Sequence, residues 1–484
     1  MKYLRNGLLV AMATSLSMVA VQPASAWEAQ TTHVGLAEQA ALGSVLHARM
    51  IALGFKDGLF ELLTVPPADA PALLAALARL SPSHGTTPDL RGRQTALSWI
   101  AAGAAVADAP AEFAVNHFFD PFLAAAGKSA GYRRPSRDFI GDVQAVVQRQ
   151  MGRAKLPLEG VAAPDWITDQ RNPFNVDAFY QQYSKAITAT SPGQRARHMA
   201  AALTALGATL HVLGDMGTPA HVRSDGTTDY LGADPNDYGS RFEHIAALAF
   251  GRLGVPTPNR VTSRTSVRGF FSNADGTGLA DVTARSYFSS GTLPRASKTD
   301  SAVPSSVLFR PKPSLPARLN LMAASGVDGT VLRSAAGVCL ARYRVSQGVL
   351  SFFTDDDCQL EQINALLPTV VSYQAGLTDF LFRGELTLVV EGAELVVRSP
   401  VALGAGVLSI VSEDAQGVRT TVVGQPGAAL AAGADVGRVA MPVGVAWYAV
   451  WNGLDGNGQT MVAVGHLKPV TPASEAPSTP AADN

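Results

Sequence analysis

The spacing of apolar residues changes at Gly384, and this change limits the possible folds more than any other feature of the chain. Before it, apolar side chains recur at helical steps, as in Leu42, Leu46, Met50 and Leu53 within 35–53 and Leu360, Ile363, Leu367, Val371 and Ala375 within 359–382. That spacing turns one helix face towards a core. Further helices are predicted near 71–80 and over 95–107, 137–153, 175–188, 194–213, 242–252 and 277–288. The run from Arg195 to Leu213 is rich in Ala, Leu and Met, all strong helix formers. Pro368 is expected to kink or restart the 359–382 helix. After Gly384 the pattern alternates, in Leu386–Val390, Glu394–Val397, Arg419–Val423, Ala446–Trp451 and Thr460–Val464. Turn residues such as Asn452-Gly453 and Asp455-Gly456-Asn457-Gly458 separate these segments, as expected for short antiparallel strands.

The fold class that follows is a mainly α N-terminal domain and a small all-β, sandwich-like C-terminal domain. The expected boundaries are 27–382 for the helical domain, 383–468 for the β-domain and 469–484 for a disordered tail of Pro, Ala, Ser and Thr. Residues 292–332 are rich in Ser, Pro, Lys and Arg and read as a loop, within an insertion that reaches about residue 358. Apolar residues make up 47% of the 484 positions, enough for a large core. The formal charge of -1 provides no basic footprint, so no stable nucleic-acid partner is expected.

At the N-terminus, Lys2 and Arg5 precede an apolar run from Leu8 to Ala20, followed by Ala24-Ser25-Ala26. This is the pattern of a secretory signal peptide over residues 1–26, and it predicts a secreted or periplasmic protein. The run is too short for a membrane span of about 20 residues. Cleavage would leave Trp27 with a free α-amino group, which a metal can deprotonate and bind. In an oxidising compartment the only two cysteines, Cys339 and Cys358, are expected to pair. Such a bridge is worth roughly 3 kcal/mol in the chain-entropy model.

The most informative segment runs from His211 to His221, with His211-x3-Asp215-x5-His221 spacing. His211 and Asp215 are four apart on a predicted helix and share a face, and Gly217 and Pro219 turn the chain back so that His221 can join them. Two imidazoles and a carboxylate suit an ion that takes N and O ligands, such as zinc. A second segment holds Asp108-Ala109-Pro110 and Asn116-His117-Phe118-Phe119-Asp120-Pro121. His47, His84, His198 and His466 fit no motif and read as structural or surface residues.

Taken in order, Trp27, Thr32-His33, the His117-Phe118-Phe119-Asp120-Pro121 stretch and the His211–His221 stretch resemble the zinc-dependent phospholipase C superfamily. That superfamily also contains the secreted zinc single-strand nucleases. The His-Phe-Phe-Asp-Pro form looks more like the bacterial phospholipases. The resemblance covers about residues 27–250, with 359–382 as a closing helix, and implies a helical domain with a zinc cluster in a cleft. It implies a first zinc held by Asp108, His117, His211 and Asp215, with Asp108 also the catalytic general base towards the attacking water. It implies a second zinc held by Trp27 and His33, bridged by Asp215, and a third held by His221 and Glu243. The chain departs from the pattern at this third ion, because Val222 to Phe242 contains no histidine. Asp225, Asp229, Asp234, Asp237 and His244 are the remaining candidates there, so two to three zinc ions are expected.

The implied activity is that of a secreted zinc-dependent phosphodiesterase, a phosphoric diester hydrolase of phospholipase C type. It would act through zinc-bound hydroxide on a phospholipid or membrane-surface substrate, with Phe118 and Phe119 as candidates for the mouth of the cleft or for the core. Two alternatives stay open: a secreted zinc nuclease acting on single strands, and a non-catalytic metal-binding or adhesion protein with an eroded site.

Overall fold

The structure, a computed structural model, describes residues 31–64, 93–109, 111–132, 159–225, 241–253, 258, 260–293, 330–334, 336–346 and 349–467, with short strand segments at 297–298, 303–304 and 318–319. The signal sequence, Trp27, the helices predicted near 71–80 and at 137–153, His84, Asp229, Asp234, Asp237 and the tail lie outside the described residues.

The chain is helix-rich, with a separate C-terminal β-sheet region. Its helices are α1 (Thr32–Leu42), α2 (Leu46–Ala52), α3 (Ala96–Val106), α4 (Pro121–Ala125), α5 (Ala163–Trp166), α6 (Val176–Thr188), α7 (Pro192–Asp215), α8 (Arg241–Leu253), α9 (Val267–Phe271), α10 (Leu279–Ser286) and α11 (Asp356–Leu381). Their starts follow local chemistry. Thr95 accepts the Ser98 N–H ahead of α3 and Asn175 the Ala178 N–H ahead of α6. Ser191 and Gln194 form a reciprocal capping box at α7, with Pro192 in the first turn, which satisfies donors a helix start leaves open. α7 is buried on every side from Ala202 to Asp215, the mark of a central helix.

Two helical expectations and one loop expectation need correction. The 35–53 segment is two helices, because the backbone of α1 closes at Gly43, where a Cβ would lie 2.5 Å from the Pro258 ring. Pro368 does not restart α11, which runs unbroken from Asp356 to Leu381. Leu366, Leu367, Val370 and Val371 are buried on both sides of the proline, and this packing outweighs the lost backbone bond of about 3 kcal/mol. The 292–358 region is not simply a loop. β3 (Ser297–Lys298), β6 (Thr330–Arg333), β7 (Cys339–Ser346) and β8 (Val349–Phe353) form an antiparallel sheet in the order β3-β8-β7-β6, and β4 (Val303–Pro304) pairs with β5 (Arg318–Leu319). The Cys339–Cys358 disulfide ties the start of β7 to the start of α11. A further short pair, β1 (Leu62–Thr64) with β2 (Arg93–Thr95), precedes α3.

The C-terminal strands are β9 (Thr387–Glu391), β10 (Glu394–Arg398), β11 (Leu403–Glu413), β12 (Arg419–Gly427), β13 (Asp435–Ala440), β14 (Ala446–Asp455) and β15 (Thr460–Leu467). They form sheets ordered β13-β10-β9 and β12-β11-β14-β15. Leu388, Leu395 and Val397 from the first sheet pack with Leu408, Ile410, Trp447, Ala449 and Trp451 from the second, as in a sandwich. The opposite face of β14, through Ala446, Tyr448 and Val450, belongs to the helical core. Ala446–Trp451, expected from the sequence to alternate, is instead a continuous apolar run, because both of its faces are buried.

A buried charged junction joins the two parts. Arg419 on β12 is buried, donates from Nε to Glu413 at 2.8 Å, bonds the Ile187 carbonyl near the end of α6, and lies 3.4 Å from the Tyr448 ring centroid. Arg195 on α7 reaches the same Glu413 at 3.4 Å. Arg419→Ala is expected to cost about 3 kcal/mol, because it leaves Glu413 half-compensated and the Ile187 carbonyl unpaired. Equilibrium denaturation checks this, and a loss below about 0.5 kcal/mol, typical of surface substitutions, would contradict it.

Candidate metal centre

The site begins with a helix crossing. A Cβ on Gly103 of α3 would lie 2.0 Å from the Thr204 carbonyl oxygen, and one on Gly207 of α7 would lie 1.9 Å from the Ile100 carbonyl oxygen. Only glycine lets the two backbones touch in this way. The close crossing brings His211 to the end of α3, where its Nδ1 lies 2.7 Å from the Ala104 carbonyl oxygen. A carbonyl only accepts, so Nδ1 carries the proton and Nε2 presents its lone pair. That lone pair faces Asp108 and Asp215, with Nε2 at 3.4 Å from an oxygen of each.

His117 follows the short helical turn Ala111–Asn116, and its Nδ1 lies 3.1 Å from Asp108 and 2.9 Å from Asp215. His33, in the first turn of α1, places Nε2 3.0 Å from the other Asp215 oxygen. Its ring stacks on that of His211, with centroids 3.5 Å apart. Asp215 is therefore the hub, one oxygen turned to His33 and the other to His117 and His211. Two sets of donor atoms, His33–His211–Asp215 and Asp108–His117–His211, each fall within 4.8 Å of one another and are fully buried.

The donors fit a cation. Asp215 is the last residue of α7 and Asp108 lies just past the end of α3, so two carboxylates meet at two helix C-termini, where the peptide dipoles already concentrate negative charge. The carboxylate oxygens of both residues and Nε2 of His211 are buried without a well-formed hydrogen bond. Burial on those terms is costly unless a positive charge lies among the oxygens. The protonation equilibria follow the same field. Burial, with His211 adding to it, lowers the His33 pKa to about 4. Burial also lowers that of His117, but Asp108 and Asp215 outweigh it and hold the group at about 10. Burial works against ionising Asp108 and Asp215, yet the neighbouring imidazoles hold both below the ordinary carboxylate range.

His221 and Glu243 form a second, smaller pair. His221 Nδ1 lies 2.8 Å from the His117 carbonyl oxygen, so its Nε2 carries the lone pair, and it lies 3.8 Å from Glu243 on α8. The pair is buried but belongs to neither of the two donor sets. The carboxylate of Asp225 accepts the Gly291 N–H at 2.8 Å. His244 is half-buried on α8 beside Glu243. The predicted site residues therefore divide into three groups. His33, Asp108, His117, His211 and Asp215 come together, His221 faces Glu243, and Trp27 is outside the described residues.

Phe118 and Phe119 do not line a cleft mouth, since both are almost fully buried. Phe118 stacks on His221 with centroids 4.0 Å apart, and Phe119 joins the main core. Asp120 caps α4, accepting the Phe122 and Leu123 N–H groups, and also takes the Ser224 hydroxyl. The Phe119 N–H donates to the His221 carbonyl oxygen at 2.9 Å, so the two motif segments hold each other. Sequence reasoning missed the Ala104 and His117 carbonyls, which orient two imidazoles. Backbone groups about a hundred positions away leave no residue-type signal. His47, His198 and His466 are structural: His47 accepts the Leu59 N–H, His198 pairs with Gln182, and His466 stacks on Tyr448.

No protein-family model and no curated protein sequence matches the chain. Among solved structures, it is similar to the alpha-toxin of Clostridium perfringens, avian strain SWCP, at 12% identity and a TM-score of 0.30, over 92% of this chain and 100% of that one. It is also similar to the alpha toxin of Clostridium absonum at 10% identity and a TM-score of 0.30, over 91% of this chain and 98% of that one. At that score the likeness carries no residue correspondence.

Proposed function

We propose that the protein is an exported zinc-dependent phosphoric diester hydrolase of phospholipase C type. The observation that supports this best is the buried cluster of His33, Asp108, His117, His211 and Asp215, whose donor atoms lie within 4.8 Å of one another in two sets and whose carboxylate oxygens make no well-formed hydrogen bond. Asp108, His117, His211 and Asp215 would hold one zinc ion. Asp215 would share a second with His33 and the Trp27 amine, and His221 and Glu243 would contribute to a third. Bound zinc supplies a Lewis acid that lowers the pKa of water towards 7 and neutralises phosphate oxygens as charge develops.

The protein's own groups do the rest. Ala104 and His117 hold the His211 and His221 rings through their carbonyl oxygens, so each keeps Nε2 as the donor end. Asp108 would act as the general base, with the attacking water placed within hydrogen-bond reach of its carboxylate. The preference for a lipid rests on the His-Phe-Phe-Asp-Pro form and on the charge of -1, which offers little attraction to a polyanion. The disulfide suits an oxidising compartment, and no helix among the described residues is long and apolar enough to cross a membrane.

The test is to incubate purified protein with phosphatidylcholine vesicles, single-stranded DNA and a chromogenic phosphodiester, with and without chelator. Release of diacylglycerol that chelator abolishes and zinc restores is the expected result. Cleavage of DNA alone would mean a nuclease, and zinc binding with no hydrolysis of any substrate would mean a non-catalytic protein.

A further inference from the structure

We infer that Gln374 is a positioning residue of the metal centre, fixing the ligand-bearing turn of α7 and the His33 ring relative to each other. The inference rests on the zinc reading above. Gln374 lies on α11 and is fully buried. Its Nε2 donates to the Leu210 carbonyl oxygen at 2.7 Å, one residue before His211 and across 164 positions of sequence. A Cβ on Gly214 would lie 2.9 Å from that Nε2 and 3.2 Å from Nδ1 of His33. The Gln374 amide, the His33 ring and the backbone between His211 and Asp215 thus meet at one point. His211 and Asp215 ride on the α7 backbone that Gln374 holds, and Gly214, lacking a Cβ, leaves room for both the Gln374 amide and the His33 ring beside that turn.

Stability alone does not account for an amide in this position. Gln374 Oε1 is buried without a hydrogen-bond partner, a burden of about 1–3 kcal/mol. An unbranched apolar side chain of similar length would fill the space without that penalty. What methionine cannot do is hold the Leu210 carbonyl, and with it the rotation of the last turn of α7. Groups that orient metal ligands in this way change metal affinity by about 10–100-fold when removed.

The experiment compares wild-type, Gln374→Met and Gln374→Leu full-length mature proteins, with Gln362→Met as control. Gln362 is buried on the same helix but bonds the Cys339 and Leu340 carbonyls, away from the centre. Each protein is stripped with chelator, its thermal unfolding is recorded, and zinc is titrated against a chromophoric competitor. Cobalt(II) is then added in place of zinc, because its visible spectrum reports ligand geometry. For both Gln374 variants we expect a metal-free Tm equal to or above wild-type, zinc affinity lower by about 10–100-fold, and an altered cobalt spectrum. Gln362→Met should keep the wild-type affinity and spectrum. Gln374 variants that bind zinc as tightly as wild-type, with an unchanged cobalt spectrum, would overturn the inference. Wild-type protein that takes up no zinc would overturn the metal reading and this inference with it, and the wild-type titration alone separates that failure from the first.

Discussion

Asp215→Asn is expected to lower phosphodiester hydrolysis by roughly 10²–10⁴-fold and to weaken two ions together. Its carboxylate is the hub of the cluster, within 3.0 Å of His33, 2.9 Å of His117 and 3.4 Å of His211. The substitution keeps the shape but removes the negative charge, and it places an amide N–H₂ where one of the two acceptor oxygens stood. Losing the one carboxylate that two ions share removes the positive charge placed to stabilise the reacting phosphate, and at 1.36 kcal/mol per tenfold the expected range corresponds to about 3–5 kcal/mol of lost transition-state stabilisation. Metal content and turnover should fall in parallel, with far-ultraviolet circular dichroism unchanged. A variant that keeps both metal and near-normal turnover would remove Asp215 from the centre.

An N-terminal extension of one residue before Trp27 is expected to remove one zinc and most of the activity while leaving the fold intact. Trp27 lies six residues before His33, and His33 is already buried against Asp215. A free α-amine there has an available lone pair, whereas an extension turns it into an amide that binds zinc poorly near neutral pH. The core does not depend on residue 27, since α1, α3, α7 and α11 pack through Val34, Leu36, Ile100, Leu206 and Val371. A cleavable tag fused directly before Trp27 checks the point: metal content and hydrolysis are measured before and after trimming. Equal values in both forms would exclude the amine as a ligand.

The parts of this molecule that were legible in sequence are those set by local rules. α7 extends the predicted 194–213 helix by two residues at each end and carries His211 and Asp215 one turn apart on one face, so a four-residue spacing sufficed to pair them. The strands at 387–398 and 446–467 alternate, or run continuously apolar where both faces are buried. β11 was missed because Gly404 and Gly406 interrupt its apolar pattern. Gly406 is there for the Trp451 ring, which would meet a Cβ at 2.6 Å. β6 to β8 were hidden inside a segment whose Ser, Pro, Lys and Arg content reads as loop, and a disulfide and α11 give that sheet its support. Within the site, the side-chain types and spacings were visible, but their orientation was not. The Ala104 carbonyl, the His117 carbonyl and Gln374 act across 107, 104 and 164 positions of sequence, and only the fold brings them near.

The central claim is that the buried His and Asp cluster is a zinc site. It is tested most directly by elemental analysis of the mature protein after exhaustive dialysis. The ligand sets predict two tightly held zinc ions per chain, with a third weak or absent because only His221 and Glu243 are in place for it among the described residues. Protein that folds fully, retains no zinc, and takes up none when it is supplied would contradict the account.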